Sequence, residues 1–157
     1  MKIAFFEIRS EEKRYLKRHL KGHALSFFEE KLSLDNVDKV KNSKIISVSI
    51  YSKVDKKILK KLPNVKLITT RSTGYDHISI KACKKKGINV SNVPSYGSNT
   101  VAEHTFALIL GLSRKLWTAH SKIQKDDFTI EGLKGFDLHG KTIGVIGVGK
   151  IGLHVIT

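Results

Sequence analysis

Apolar positions in the first hundred residues alternate between short continuous runs and runs spaced three to four apart. That alternation is the signature of strands interleaved with amphipathic helices. Lys2 to Glu7, rich in Ile and Phe, predicts a first strand. Ser10-Glu11-Glu12 then offers an N-cap with acids in the first turn, Tyr15, Leu16 and Leu20 form an apolar stripe, and Gly22 closes the helix. Ala24 to Phe28 predicts a second strand, Asp35 to Val40 a weak helix, and Lys44 to Ile50 a third strand. Val54, Ile58 and Leu62 share one helical face that Pro63 ends. Val65 to Thr70 is a fourth strand; Ile78, Ala82 and Cys83 line a short helix stopped by Gly87; Ile88 to Val93 is a fifth strand. Parallel neighbours need crossover connections, so this order predicts a doubly wound parallel α/β sheet of flavodoxin-like type, strand order 2-1-3-4-5.

The pattern changes at Pro94. Ser95-Tyr96-Gly97-Ser98-Asn99 is a loop by composition, and Thr100-Val101-Ala102-Glu103 has the spacing of a capping box. It predicts a long helix from Val101 to about Gln124, so apolar before Arg114 that it should be buried on more than one side. The predicted boundary therefore separates a first domain, 1–99, from a second segment, 100–157. A polar stretch from Lys125 to Gly140 leads to a last strand, Lys141 to Ile146.

That strand runs into Gly147-Val148-Gly149-Lys150-Ile151-Gly152 and a helix-like Leu153-His154-Val155-Ile156. A strand before and a helix after are the context that a dinucleotide-binding fingerprint requires. Gly147 would make the tight turn, Gly149 would admit a pyrophosphate to the backbone, and Gly152 would allow close packing. Lys150 and Ile151 would open a helix whose free N–H groups face the phosphates. The alternative is an ordinary glycine-rich turn. The expected ribose-binding acid about 20 residues further on is not in the sequence, nor is a second βαβ half. The expectation is the front part of a protein roughly twice as long, carrying the start of a Rossmann domain.

Composition narrows the class. The 157 residues are 40% apolar and 27% charged, ordinary for a globular chain. The longest apolar runs, such as Phe106 to Leu110, fall short of the roughly 20 residues of a membrane span. With no secretory-type apolar stretch near Met1, a cytoplasmic protein without membrane contact is expected. Cys83, the single cysteine, excludes a disulfide framework and any multi-cysteine metal site. The net charge is +15, of which residues 1–98 hold +13. The basic residues are 24 Lys and 5 Arg without interleaved aromatics, which argues for a solvated surface rather than a nucleic-acid groove.

Four segments in order resemble the D-isomer-specific 2-hydroxyacid dehydrogenases. They are Thr70 to Ile78, Asn92 to Gly97, Val101 to Thr105, and Leu138 to Thr142 leading into the glycine motif. Arg71 to His77 and Tyr96 are most similar to the D-lactate dehydrogenase type. The resemblance implies a substrate domain over 1–99, a cofactor domain beginning at about 100, and a cleft between them. It implies NAD as cofactor, with NADP left open, a small 2-hydroxy or 2-oxo acid as substrate, and a homodimer at full length. The family's Arg, Glu and His catalytic set would lie beyond Thr157, so no catalytic residue is assigned here and the segment alone is expected to be inactive.

The resemblance assigns the substrate carboxylate to the backbone of Thr73 and Gly74, where a turn at Gly74 would use a positive φ and successive N–H groups would form an anion site. Tyr96 matches a substrate-touching tyrosine, against the alternative of a packed loop aromatic. Tyr51 falls just past the third strand, at the edge where ligands bind in open α/β sheets. Asp76 is expected to fix the loop or cap the next helix, His77 to be structural, and Cys83 to be core. Glu103 and His104 lack a third ligand at suitable spacing, so no metal is expected. Two other readings are a non-catalytic corepressor-like binding protein on the same fold and a basic nucleic-acid-binding module.

Overall fold

The computed structural model describes residues 1–157, which form two compact units, Met1–Tyr96 and Gly97–Thr157. The first unit is built on five short parallel strands: β1 Lys2–Phe5, β2 Ala24–Phe27, β3 Ile45–Val48, β4 Leu67–Thr70 and β5 Asn89–Ser91. They lie in the order β2-β1-β3-β4-β5, as the alternation of runs predicts. Each strand is one to three residues shorter than its apolar run, because flanking residues such as Ile50 leave the ladder and face solvent.

Alternation along β1 divides its side chains between two cores. Ala4 and Phe6 join Ile46, Val48, Leu59, Leu62 and Ile68 in the larger core, under α2 (Lys56–Lys60) and α3 (Ile80–Lys85). Ile3, Phe5 and Ile8 form the smaller one, covered by Leu16 of α1 (Ser10–His19) and by Leu20, which caps that helix. Phe6 stacks on Phe28 at 4.6 Å and Phe5 on Phe27 at 5.3 Å, fastening β1 to β2 on both faces.

Several local expectations are corrected. The cap of α1 is Arg9 rather than Ser10: the Arg9 N–H donates to Glu12 Oε2 at 2.8 Å, and Ser10 is already helical. Tyr15 leaves the apolar stripe and is exposed, lying against His19. The weak helix is only a 3-10 turn, Val37–Val40. Val54 and Ile78 sit just ahead of their helices, because they pair with each other in an isolated parallel bridge. Asp55, between Val54 and α2, is the true cap, accepting from the N–H groups of Lys57 and Ile58 at 2.8 and 3.1 Å.

The bond from the Ile58 N–H, seconded by that from Lys57 and by the charges of Lys53 and Lys57, holds the Asp55 carboxyl below its usual range. A depressed folded pKa stabilises the fold above the unfolded value, about 3.9, and the gain fades as pH falls through the folded one. Asp55→Ala is expected to cost about 1 kcal/mol at neutral pH. In urea unfolding, the gap between D55A and wild type should close below about pH 4. A gap independent of pH would remove the capping explanation.

In the second unit, the predicted capping box at Thr100 is not formed. Helix α4 runs Ser98–Ser113, three residues earlier than the expected start at Val101, and the Val101 N–H donates to the Gly97 carbonyl. The single long helix is in fact two, because Lys115 adopts φ 54° and α5 restarts at Leu116–Ile123. The break has a visible cause. The Ser113 carbonyl accepts from Phe136 N at 3.0 Å instead of serving the next helical turn, and the Ser113 hydroxyl bonds back to Leu110 O. Gly135 permits that approach: a Cβ there would lie 2.0 Å from Ser113 O.

Nor is α4 buried on several sides. Only Ala102 and Ser113 are buried, while Leu108, Leu112 and, in α5, Trp117 are exposed, since this unit contains no sheet to cover them. For the same reason Lys141 to Ile146 is not a strand: no neighbouring strand supplies ladder partners. A final helix, α6 (Lys150–Ile156), packs on α4. No helix is long and apolar enough to cross a membrane.

Candidate functional site

The carboxyl ends of β1, β3 and β4 converge where the strand order reverses, the place at which open α/β sheets bind ligands. Three loops meet there, and one side chain ties them. Arg71, the first residue after β4, donates to the carbonyls of Phe6 (2.8 Å) and Glu7 (2.7 Å) beyond β1. It also donates to Ser47 Oγ (3.0 Å) and Val48 O (3.3 Å) of β3, and reaches Glu12 of α1 at 3.3 Å. A planar fork with five donors is suited to this task, and all of them face protein acceptors. Arg71 is committed to architecture.

The loop after β4 is immobilised atom by atom. Ser72 Oγ donates to Gly74 O at 2.7 Å, so it accepts from Thr70 Oγ1, 2.6 Å away. Thr70 Oγ1 in turn accepts from His77 Nε2 at 3.1 Å. This chain places a proton on the loop-facing nitrogen of His77, which then cannot act as a base there. Thr73 Oγ1 donates to Val93 O and Asn92 Nδ2 donates to Thr73 O, stitching the loop to the segment after β5. The backbone N–H groups of Thr73 and Gly74 donate to nothing and face solvent. The result is a braced loop whose N–H groups at Thr73 and Gly74, like those from Tyr75 to His77, have no protein acceptor.

Two details of that loop differ from expectation. Gly74 does not have a positive φ, and a Cβ on it would meet nothing within 4 Å, so its backbone does not demand glycine. Asp76 fixes neither loop nor helix; it makes no hydrogen bond, and α3 follows Ser79. Tyr51 and Tyr96 are 72% and 70% exposed, so neither ring is a packed loop aromatic. An open cleft lined by Glu7, Arg9, Glu12, Ser49, Tyr51 and Arg71 lies at the β1–β3 side of this edge.

Sequence reasoning missed the clamp of Arg71, the brace of Asn92 and the carboxylate of Glu7, which accepts from Ser49 N (2.5 Å) and Tyr51 N (2.8 Å). These bonds join residues 19 to 65 positions apart, and no local pattern announces them. Cys83 is buried, and desolvation pushes its thiol pKa up. Glu103 and His104 belong to no cluster of three or more metal-ligating side chains, and none occurs elsewhere.

In the second unit the glycine motif makes a turn into α6. Gly147 has φ +96°, and Gly149 is the residue before the helix. A Cβ on Gly152 would stand 2.1 Å from the Gly147 carbonyl oxygen, whereas one on Gly149 would meet nothing within 4 Å. The turn is thus closed tightly on itself at Gly152 and left open at Gly149. The first N–H groups of α6, from Lys150 and Ile151, have no acceptor within a helix and are available to an anion.

Residues 3–149 match the family profile described as D-isomer specific 2-hydroxyacid dehydrogenase, catalytic domain. The chain is 37% identical over 97% of its length to 2-hydroxyacid dehydrogenase homolog 1 of Schizosaccharomyces pombe, covering 47% of it. It is 31% identical over 99% of its length to Escherichia coli D-lactate dehydrogenase, covering 49% of that protein. Among solved structures, D-lactate dehydrogenase from Aquifex aeolicus complexed with NAD and lactic acid superposes with a TM-score of 0.90 at 37% identity, over 98% of this chain and 46% of that one. The chain spans about half the length of the curated relatives it matches. With nearly its whole length matched and the same parallel sheet, the chain belongs to the D-isomer specific 2-hydroxyacid dehydrogenase family.

Proposed function

We propose that this chain forms the substrate-binding domain and the opening of the dinucleotide-binding domain of an NAD-dependent D-2-hydroxyacid dehydrogenase of the D-lactate dehydrogenase type. Residues 1–99 hold the small 2-hydroxy or 2-oxo acid, and the segment from 100 onward begins the cofactor domain. The observation that carries this reading is the pair of free N–H groups on Thr73 and Gly74, in a loop braced by the bonds of Ser72, Thr73 and Asn92. Two adjacent free donors in a braced loop suit a carboxylate, because little further ordering is needed on binding. Gly74, lacking a side chain, leaves the approach to them clear.

The residues of the glycine turn fit a dinucleotide. Gly149 leaves open the space that a pyrophosphate needs, and the N–H groups of Lys150 and Ile151 offer its oxygens a positive helix end. NAD, when bound, supplies the nicotinamide that exchanges a hydride with C2 of the acid. Tyr96 and Tyr51 border the acid from the sheet edge, each with an exposed hydroxyl able to donate. Arg71 and His77, held by their own hydrogen bonds, neither polarise the carbonyl nor transfer its proton. The groups that do so are assigned outside residues 1–157, and full-length protein is read as a homodimer working in the cytoplasm.

Nitrogen-resolved NMR tests the assignment. Pyruvate or its unreactive analogue oxamate should shift the amide signals of Thr73 and Gly74, while lactamide, which has no carboxylate, should not. Shifts confined to other loops would remove the carboxylate site. Residues 1–157 alone are expected to oxidise no NADH with pyruvate or glyoxylate; turnover abolished by R71K or H77N would reverse the assignment of the catalytic groups.

A further inference from the structure

Glu7 is the first residue past β1 and adopts φ 56°, a left-handed conformation that a side chain with a Cβ rarely takes. Such a conformation persists only where the surroundings hold it, and it clusters at functional edges. Here the backbone is held on both sides: the Glu7 N–H donates to Glu30 O at 3.2 Å, and its carbonyl accepts from Arg71 at 2.7 Å. The left-handed turn sends the carboxylate across the strand ends. There one oxygen accepts from Ser49 N and the other from Tyr51 N. Charge-assisted bonds of this kind are the strong members of their class.

These two bonds are not needed to join β1 to β3. The ladder from Ile3–Ile45 to Phe5–Ser47 and the bond from Phe6 N to Ser47 O already do that. What they add is control of residues 49–51, whose amides at Ser49 and Tyr51 have no other acceptor. The segment carries an exposed Ile50 and an exposed Tyr51 into the open cleft at the switch point. Without the carboxylate, residues 49–51 would be held only at their ends, by Val48 in β3 and by Ser52, whose hydroxyl accepts from Leu32 N at 2.9 Å.

We propose that Glu7 is a positioning residue for substrate selection: by gripping the amides of Ser49 and Tyr51 it fixes where the Tyr51 ring stands, and so sets which substituent on a 2-oxo acid is accepted. This rests on the reading that Tyr51 borders the acid. The chemistry it implies is discrimination by the aliphatic group on C2, separate from recognition of the carboxylate by Thr73 and Gly74.

Glu7→Gly removes the carboxylate while suiting the positive φ, so the variant is expected to fold; Glu7→Gln keeps one acceptor oxygen of the two and serves as the partial rescue. Binding of glyoxylate, which has no substituent, and of 4-methyl-2-oxopentanoate is titrated by NMR with NAD⁺ present, so that no turnover intervenes. E7G should leave glyoxylate affinity within about twofold and change the ratio of the two affinities by about tenfold or more, with E7Q between E7G and wild type. The Ser49 and Tyr51 amides should also lose order in E7G, and one of the two should regain it in E7Q. Equal loss for both acids, or an unchanged ratio, would make Glu7 a structural staple and overturn the proposal while sparing the dehydrogenase reading. Failure of either acid to bind wild-type protein would overturn both.

Discussion

Arg71→Ala is expected to destabilise the first unit by about 2–4 kcal/mol and to abolish ordered binding at its carboxyl edge. The size follows from what the side chain leaves behind. The carbonyls of Phe6 and Glu7 and the buried hydroxyl of Ser47 lose a charged donor together. A hydrogen bond to a charged group contributes about 1.5–3 kcal/mol, and bonds that share one donor do not add in full. The Glu12 partner adds little, because both side chains are partly exposed and such pairs contribute roughly 0–1 kcal/mol. Arg71→Lys is expected to recover less than half of the loss, since a point charge cannot span three strand ends as a planar fork does. Urea midpoints at constant m-value measure it. A midpoint of R71A within experimental scatter of wild type would mean that the ladders alone hold the three loops in place.

The same side chain marks the limit of what could be read from sequence. Strand order was legible, because the alternation of Ile- and Phe-rich runs with helix-spaced Leu, Ile and Lys is a local property of contiguous residues. So was the glycine turn, whose spacing is a local pattern and whose tight bend falls at Gly147, with φ +96°. Arg71, by contrast, looks like any cation after a strand until folding brings Phe6 and Glu7 to it from more than sixty residues away. Glu7 is equally silent: its left-handed backbone follows from contacts with Glu30 and Arg71, not from its neighbours. Errors in the second unit have a different origin. Thr100 and Glu103 have capping spacing, but Ser98 and Asn99 are free to become helical, and the helix simply starts earlier. The break at Lys115 depends on Phe136 taking the Ser113 carbonyl, a contact between segments that periodicity treats separately. Local patterns specify elements; the residues that aim a site are chosen by tertiary partners.

The glycine turn offers the second large effect, and its last two glycines should respond for different reasons. A Cβ at Gly152 would meet the Gly147 carbonyl oxygen at 2.1 Å and its carbon at 3.2 Å, both backbone atoms that cannot swing away. Gly152→Ala must therefore displace α6 or distort the turn, an overpacking cost of about 1–3 kcal/mol. If the strain is relieved by moving the helix end off the phosphates, NADH affinity should fall by about 5-fold to 150-fold, at roughly 1.4 kcal/mol per tenfold. Gly149→Ala is the sharper experiment. Gly149 has φ −80°, which alanine adopts freely, and its Cβ would touch nothing within the chain. The fold should be indifferent to that methyl group, whereas a pyrophosphate lying against the backbone should not be. Fluorescence titration with NADH is expected to show weakened binding by G149A at unchanged thermal stability, and loss of both by G152A. If G149A bound NADH as tightly as wild type, the open space at Gly149 would be only a feature of an ordinary turn, and the nucleotide would have to be sought elsewhere.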